Sequence, residues 1–174
     1  MTEIDMGSVV ERSAAYRALA EAFTYEGAET GPFGITGADY NDAFDPAINK
    51  DACSLRERTH TQEDQSSLFE DLMRFYEFFG LKRAEHAEMP DHVSVELEFM
   101  HFLTHLENKV AEMPEELESI RRAQHDFLER HLVRLVKAVH GGLNSQNQRC
   151  IELVDTASDF VNAEFARAKQ CMQA

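Results

Sequence analysis

Apolar side chains recur at helical spacing through most of this chain, and nowhere do they alternate as a half-buried strand requires. Leu68, Leu72, Phe75, Tyr76 and Phe79 mark one such stripe; Val95, Phe99, Phe102, Leu103, Leu106 and Val110 mark another. Leu117, Ile120, Phe127, Leu128 and Leu135 mark a further one. Stripes of this kind are buried by packing helix on helix, which excludes a sheet-centred fold. The expectation is an all-α protein, a single helical-bundle domain over residues 1–174. With 174 residues and 43% hydrophobic content, the chain is long enough for one sizeable core and is not a disordered protein.

Breakers and caps divide the chain. Ser8-Val-Val-Glu11 has the spacing of a capping box, in which hydroxyl and carboxylate satisfy free backbone N–H groups. It opens a helix expected to run to about Tyr25, with Val9, Ala15, Leu19, Ala22 and Phe23 on one face. From Glu26 to about His60 the pattern fails, interrupted by Gly27, Gly31, Pro32, Gly34, Gly37 and Pro46. This is an irregular insert between the first and second long helices, with a short helix over Asp39–Phe44; a stretch of that length is often functional or mobile. The second long helix spans Thr61 or Glu63 to Phe79, and Gly80 stops it in the left-handed conformation. The next is expected from Pro90 to about Val110, and another from Pro114, with Glu115 and Glu116 in its first turn, to near His140. Ser145-Gln-Asn-Gln148 reads as a second capping box before a last helix ending near Lys169.

Charge narrows the partners. A formal net charge of −15 argues against nucleic acid, whose binding needs a basic patch, and favours a basic partner. There is no apolar run of eighteen residues or more, so no membrane insertion is expected. Met1 to Ser8 is acidic and polar, unlike an export leader, which points to a cytoplasmic protein. Cys53, Cys150 and Cys171 are widely spaced and odd in number, fitting a reduced compartment rather than a disulfide framework or zinc ribbon. Neither a phosphate-binding glycine loop nor a nucleophile elbow occurs, so no catalytic residue and no cofactor is expected.

The polar residues of Met89-Pro-Asp-His-Val-Ser-Val-Glu-Leu-Glu-Phe-Met100 stand out. On a helical wheel His92 and Glu96 fall at the edge of the apolar face, an i,i+4 pair expected to be partly buried beside a groove. Asp91 is expected in the first turn, open to a cationic partner. Glu98, His101, His105 and Asn108 fall on the opposite side. Gln124 and His131 interrupt the apolar stripe of the following helix; each needs a partner, and His131 is expected near the start of the Pro90 helix. Glu57-Arg-Thr-His60 and Glu98-Phe-Met-His101 have the Glu-x-x-His spacing of di-iron helices, but neither is expected to point into a bundle core, so no metal is expected. A helical metal-dependent enzyme built on these motifs is the alternative reading, and a general interaction adaptor is another. Met73, Phe79 and Met100 are core residues or the lining of an adaptable groove.

Three motifs together resemble the TorD/DmsD/NarJ family of molybdoenzyme maturation chaperones. The Pro90-Asp-His92 segment with Glu96-Leu-Glu-Phe99 is one; Tyr76-Glu-Phe-Phe-Gly-Leu81 is the second; Gln124-His-Asp-Phe-Leu-Glu-Arg-His-Leu132 is the third. Tyr40 to Phe44 is a weaker echo of an early family element. The insert from Phe44 to His60 looks like that of members serving selenate, chlorate, dimethylsulfide or ethylbenzene dehydrogenase enzymes, whereas Leu135 stands where many relatives carry Trp. The resemblance implies an all-helical chaperone, not an enzyme, with a hinge near residues 82–92. It implies binding of the catalytic subunit of a molybdenum iron–sulfur oxidoreductase, and of its twin-arginine signal peptide, during cofactor insertion and export proofreading. Asp91 and His92 are then the implied peptide contacts, with Glu96 beside them; Tyr76, Phe79 and Gly80 shape the groove and His131 supports it. A monomer or a homodimer fits.

Overall fold

The structure is a computed structural model, and it describes residues 7–174. The acidic segment Met1–Met6, which carries much of the reading against an export leader, lies outside the described residues. Eight α-helices follow one another, and the described residues contain no strand, only an isolated antiparallel bridge between Arg56 and His92. No helix among them is long and apolar enough to cross a membrane.

Helix α1 spans Val9–Ala22. Ser8 caps it, its Oγ accepting the Val10 N–H at 3.2 Å. The helix ends earlier than the apolar pattern suggests because Thr24 intervenes. Its hydroxyl donates to the Glu21 carbonyl at 2.7 Å and accepts the Gly27 N–H at 3.0 Å, closing α1 and capping α2 (Tyr25–Thr30). Gly27 is required by this close turn, since a Cβ there would overlap the Glu21 carbonyl. Helix α3 follows over Gly37–Phe44, two residues earlier than expected because Thr36 supplies its cap.

The insert, though irregular over much of its length, is firmly packed. Besides α2 and α3 it contributes Ile35, Tyr40, Ala43, Phe44, Cys53 and Leu55 to the buried core. Tyr40 donates from its hydroxyl to the Phe23 carbonyl at 2.7 Å, locking α3 to the end of α1. The chain then makes a 3-10 turn at Glu57–Thr59 before α4 (Gln65–Phe78), which is capped by Asp64. Gly80, at φ +77°, ends α4 as its position implied.

Helix α5 spans Val93–Lys109, starting three residues after Pro90. The reason is tertiary. Residues 91–93 pair with the insert around an extended His92: Val93 N–H donates to Leu55 O and Glu57 N–H donates to Asp91 O, both at 2.9 Å. His92 is therefore the N-cap, and Asp91 lies before the helix rather than in its first turn. Helix α6 (Pro114–Phe127) and α7 (Val133–Gly142) form one rod joined by a π-turn at Leu128–Leu132. The wider turn keeps Phe127, Leu128, His131, Leu132 and Leu135 all facing the core. Helix α8 spans Gln148–Gln173 and is capped by Asn147, not Ser145.

The long helices pack with α1 lying along α5, and α6 and α7 against α8. Arg12 stands at the centre of the first interface with only 1% of its surface exposed. Its Nε and Nη2 donate to the two oxygens of Glu164 at 2.8 and 3.0 Å, and its Nη1 donates to Glu107 at 3.2 Å. Gln124 supplies a further acceptor to Arg12 at 3.3 Å and donates to Glu107 at 2.9 Å. This network, drawing on α1, α5, α6 and α8, satisfies the interrupting Gln124. Burial works against the Glu107 carboxylate, but the bonds from Gln124, Arg12 and Arg121 outweigh it and hold its pKa below the usual range.

Candidate functional site

Two surfaces meet at the Pro-Asp-His segment. One is a groove of about 630 Å³ between the end of α4, the 81–90 connection and the first half of α5. Its floor is apolar: Met73, Tyr76, Val95, Phe99 and Phe102, with Leu81 and Pro90 at the connection. Tyr76 is fixed there by donating its hydroxyl to the Pro90 carbonyl at 2.7 Å and by packing edge-on against Phe99, with ring centroids 5.0 Å apart. The connection is braced from the insert and from within itself. Glu88 accepts from Arg56 at 3.2 Å and from its neighbour's Met89 N–H at 2.9 Å, while Arg83 turns back onto the Ala87 carbonyl and the Met89 sulfur.

The second surface is a polar cleft of about 320 Å³ lined by Asp71, Arg74, Arg130, His131 and Arg134. His131 forms its inner end and is 2% exposed. Both ring nitrogens face carboxylates: Nδ1 lies 3.1 Å from Glu57 and Nε2 lies 2.6 Å from Asp71. The ring serves both acceptors only when both nitrogens carry a proton. Asp71 is also bound by Arg130, whose guanidinium covers the Phe75 ring at 5.1 Å.

Behind these surfaces lies a sealed acidic cluster. Glu96 is fully buried, and no donor reaches either oxygen while it is ionised. Burial raises its pKa well above the usual carboxylate range, and the neighbouring Glu57 and Asp91 raise it further. The neutral acid is therefore the favoured form of Glu96, beside the Glu57 carboxylate. Glu57 is the ionised member: burial pushes it up, but hydrogen bonds from His131 and Glu96 outweigh that and lower its pKa. Asp91 has no exposed surface; one oxygen accepts the Arg58 N–H at 3.0 Å and the other has no partner. Burial raises its pKa too. His92 caps α5, its Nδ1 accepting the Ser94 N–H at 3.1 Å, and burial lowers its pKa to about 4.

The structure thus rearranges the geometry expected of the site residues. Asp91 is enclosed by the insert and is not open to a cation, because the bridge to Arg56–Glu57 covers it. His92 and Glu96 do not bond each other: His92 bonds Ser94 at the cap, and neither Glu96 oxygen has a hydrogen-bond donor. His131 reaches Glu57 and Asp71, and Glu57 in turn bonds the chain just before α5 at Asp91. Tyr76 lines the groove; Phe79 packs behind it on Phe99 and Phe102, and Gly80 turns the chain into the groove wall. Glu98, His101 and His105, placed by the wheel on the far side, line the groove. The wheel misses this because the 81–90 connection folds over that side of α5. Sequence reasoning also missed Glu57 as a core residue and Arg12 altogether; a charged residue gives no periodicity signal when its partners come from other helices.

The Glu-x-x-His motifs do not assemble a metal centre. Glu57 points inward to His131, whereas exposed His60 contacts the Ser54 carbonyl at 2.7 Å. Glu98 faces the groove while His101 Nδ1 lies 2.9 Å from the Ser13 hydroxyl. Among the described residues, the group spaced to share an ion is His125, Asp126 and Glu129, which belongs to neither motif.

Residues 11–139 match the family model described as nitrate reductase delta subunit. Among curated proteins the chain is similar to a perchlorate reductase assembly chaperone of Dechloromonas aromatica (strain RCB), with 36% identity over 132 residues and 71% of this chain. It is 30% identical to a selenate reductase assembly chaperone of Thauera selenatis and 28% identical to a chlorate reductase assembly chaperone of Ideonella dechloratans, each over 75% of this chain. The chain spans 57% of the length of the perchlorate relative and 68% of each of the other two. The matched region contains the groove, the sealed acidic cluster and the π-turn.

Proposed function

We propose that this chain, which belongs to the nitrate reductase delta subunit family, is a dedicated assembly chaperone for the catalytic subunit of a molybdenum oxidoreductase. It is a binding protein and not an enzyme. It acts in the cytoplasm, holding the immature subunit through cofactor insertion and withholding it from export until assembly is complete. The client belongs to the class that reduces oxyanions such as perchlorate, selenate or chlorate, as the reductases served by its relatives do. The client's twin-arginine signal peptide is the segment recognised.

The observation that carries this reading is the groove of about 630 Å³ built on the Tyr76–Leu81 and Pro90–Phe99 motifs. Its apolar floor suits the apolar part of a signal peptide, and the −15 net charge draws a basic one by long-range attraction. The buried Glu57–Glu96–His131 cluster supports the site from behind rather than touching the client, and residues 82–92 serve as the hinge beside it. The test is titration of the pure protein with a twin-arginine signal peptide and with a Lys-Lys control, alongside co-purification with the cognate catalytic subunit. Preferential binding of the arginine peptide and stable capture of the subunit are expected. Failure to bind either one refutes the assignment.

A further inference from the structure

Within the groove one acid differs from all others near it. Glu98 is exposed, projects from α5 into the groove, and has neither a hydrogen bond nor an ion pair. The acid across from it, Glu88, is occupied by Arg56 and a backbone N–H. Asp91 and Glu96 are sealed from solvent. Of the two basic residues on the connection, Arg83 is turned onto Ala87 and Met89, leaving Lys82 as the free one. The groove therefore offers an apolar floor with one unpaired carboxylate on its α5 wall and one unpaired ammonium on its rim.

We propose that Glu98 is the residue that recognises a cationic side chain on a peptide whose apolar face occupies the groove. This rests on the groove being the client site and names the contact made there. Three observations favour a cation over an anion at this point. The carboxylate sits one turn from Val95 and Phe102, so a peptide lying on the apolar floor passes directly beside it. A guanidinium can take both of its oxygens in parallel, because no other donor claims either. The field of a −15 chain raises the local concentration of cations and opposes anions.

The test uses the full chain and three labelled helical peptides of leucine and alanine. One carries a single arginine at its centre, one has citrulline there, and one has glutamate. Peptide anisotropy reports binding, and the variants are Glu98→Gln, Lys82→Met and Ala84→Trp. Ala84 is exposed and lines the groove, so Trp there obstructs it without disturbing the core. The wild type is expected to prefer arginine over citrulline by roughly three- to tenfold, the range for a charged pair at a partly wetted site. Glu98→Gln is expected to erase that preference while leaving citrulline binding unchanged. If all peptides bind alike, Glu98→Gln changes nothing and Ala84→Trp abolishes binding, the groove stands and the Glu98 assignment is overturned. If the wild type favours the glutamate peptide and Lys82→Met removes that, the polarity is the reverse and the assignment is likewise overturned. Absence of binding, or binding indifferent to Ala84→Trp, overturns the groove itself as the client site.

Discussion

Replacing His131 by Phe removes the donor that joins the insert to α4 and to the π-turn while keeping a ring of similar size. His131 is 2% exposed and its two nitrogens serve Glu57 at 3.1 Å and Asp71 at 2.6 Å. Asp71 keeps Arg130, so its loss is modest. Glu57, also 2% exposed, loses its His131 hydrogen bond and is left as a buried carboxylate with only the more distant charge of Arg134 in its favour. Breaking one side of a buried pair costs about 3–5 kcal/mol. Against a total stability of about 5–15 kcal/mol this is a large fraction, and for a chain of this length it lowers Tm by about 6–20 °C. Urea denaturation followed by circular dichroism measures it. Combining Glu57→Gln with His131→Phe removes the stranded charge, and the double variant is expected to be less destabilised than the sum of the single ones by about 1–3 kcal/mol. The sign with pH also follows. Glu57 has a lowered folded pKa, so its contribution is present above the unfolded carboxylate range and is lost as pH falls through the folded value. The difference between wild type and His131→Phe should therefore shrink on acidification below about pH 4.5. A cost under about 1 kcal/mol for His131→Phe, or strict additivity in the double variant, would refute the network as described.

Arg12→Met should destabilise by a similar roughly 3–5 kcal/mol, since Glu164 then loses both of its guanidinium bonds inside the α1–α8 interface; thermal unfolding checks it. Gly80→Ala should cost about 1–2 kcal/mol because φ is +77°, even though a Cβ there would meet nothing within 4 Å; no loss of stability would contradict a strain origin. His92 stays neutral at its cap, with a folded pKa of about 4 against an ordinary 6.5. Its contribution is complete above pH 6.5 and lost as pH falls toward 4, about 3 kcal/mol in all, and His92→Asn should flatten that part of the stability profile. Tyr76→Phe should cost about 1–3 kcal/mol by leaving the buried Pro90 carbonyl without its donor, measured by urea denaturation.

Helix type and order were legible in the chain because they depend on periodicity, and periodicity is local. The stripe at Leu68–Phe79, the Gly80 stop and the Pro114 start all stand where the pattern put them. The boundaries that moved did so for non-local reasons or through short side-chain caps. Thr24 took over between α1 and α2, and the pairing of residues 55–57 with 91–93 delayed α5 until His92. The insert looked irregular because its glycines and prolines mark turns, yet Ile35, Tyr40, Phe44 and Leu55 are as buried as any helix stripe.

The site divides in the same way. The sequence by itself determined an all-helical chain, an acidic surface, and a Pro-Asp-His segment with polar residues that an ordinary helix has no use for. The motifs it carries also pointed to the family. What only the tertiary structure decided is which of those polar residues meet solvent. Asp91 and Glu96 went inside because the insert closes over them, and Glu98 became the groove's free carboxylate because the 81–90 connection bends over that side of α5. A wheel knows the angle of a side chain around its own helix axis. It does not know what packs against that angle, and burial, protonation and access to a ligand all depend on the packing.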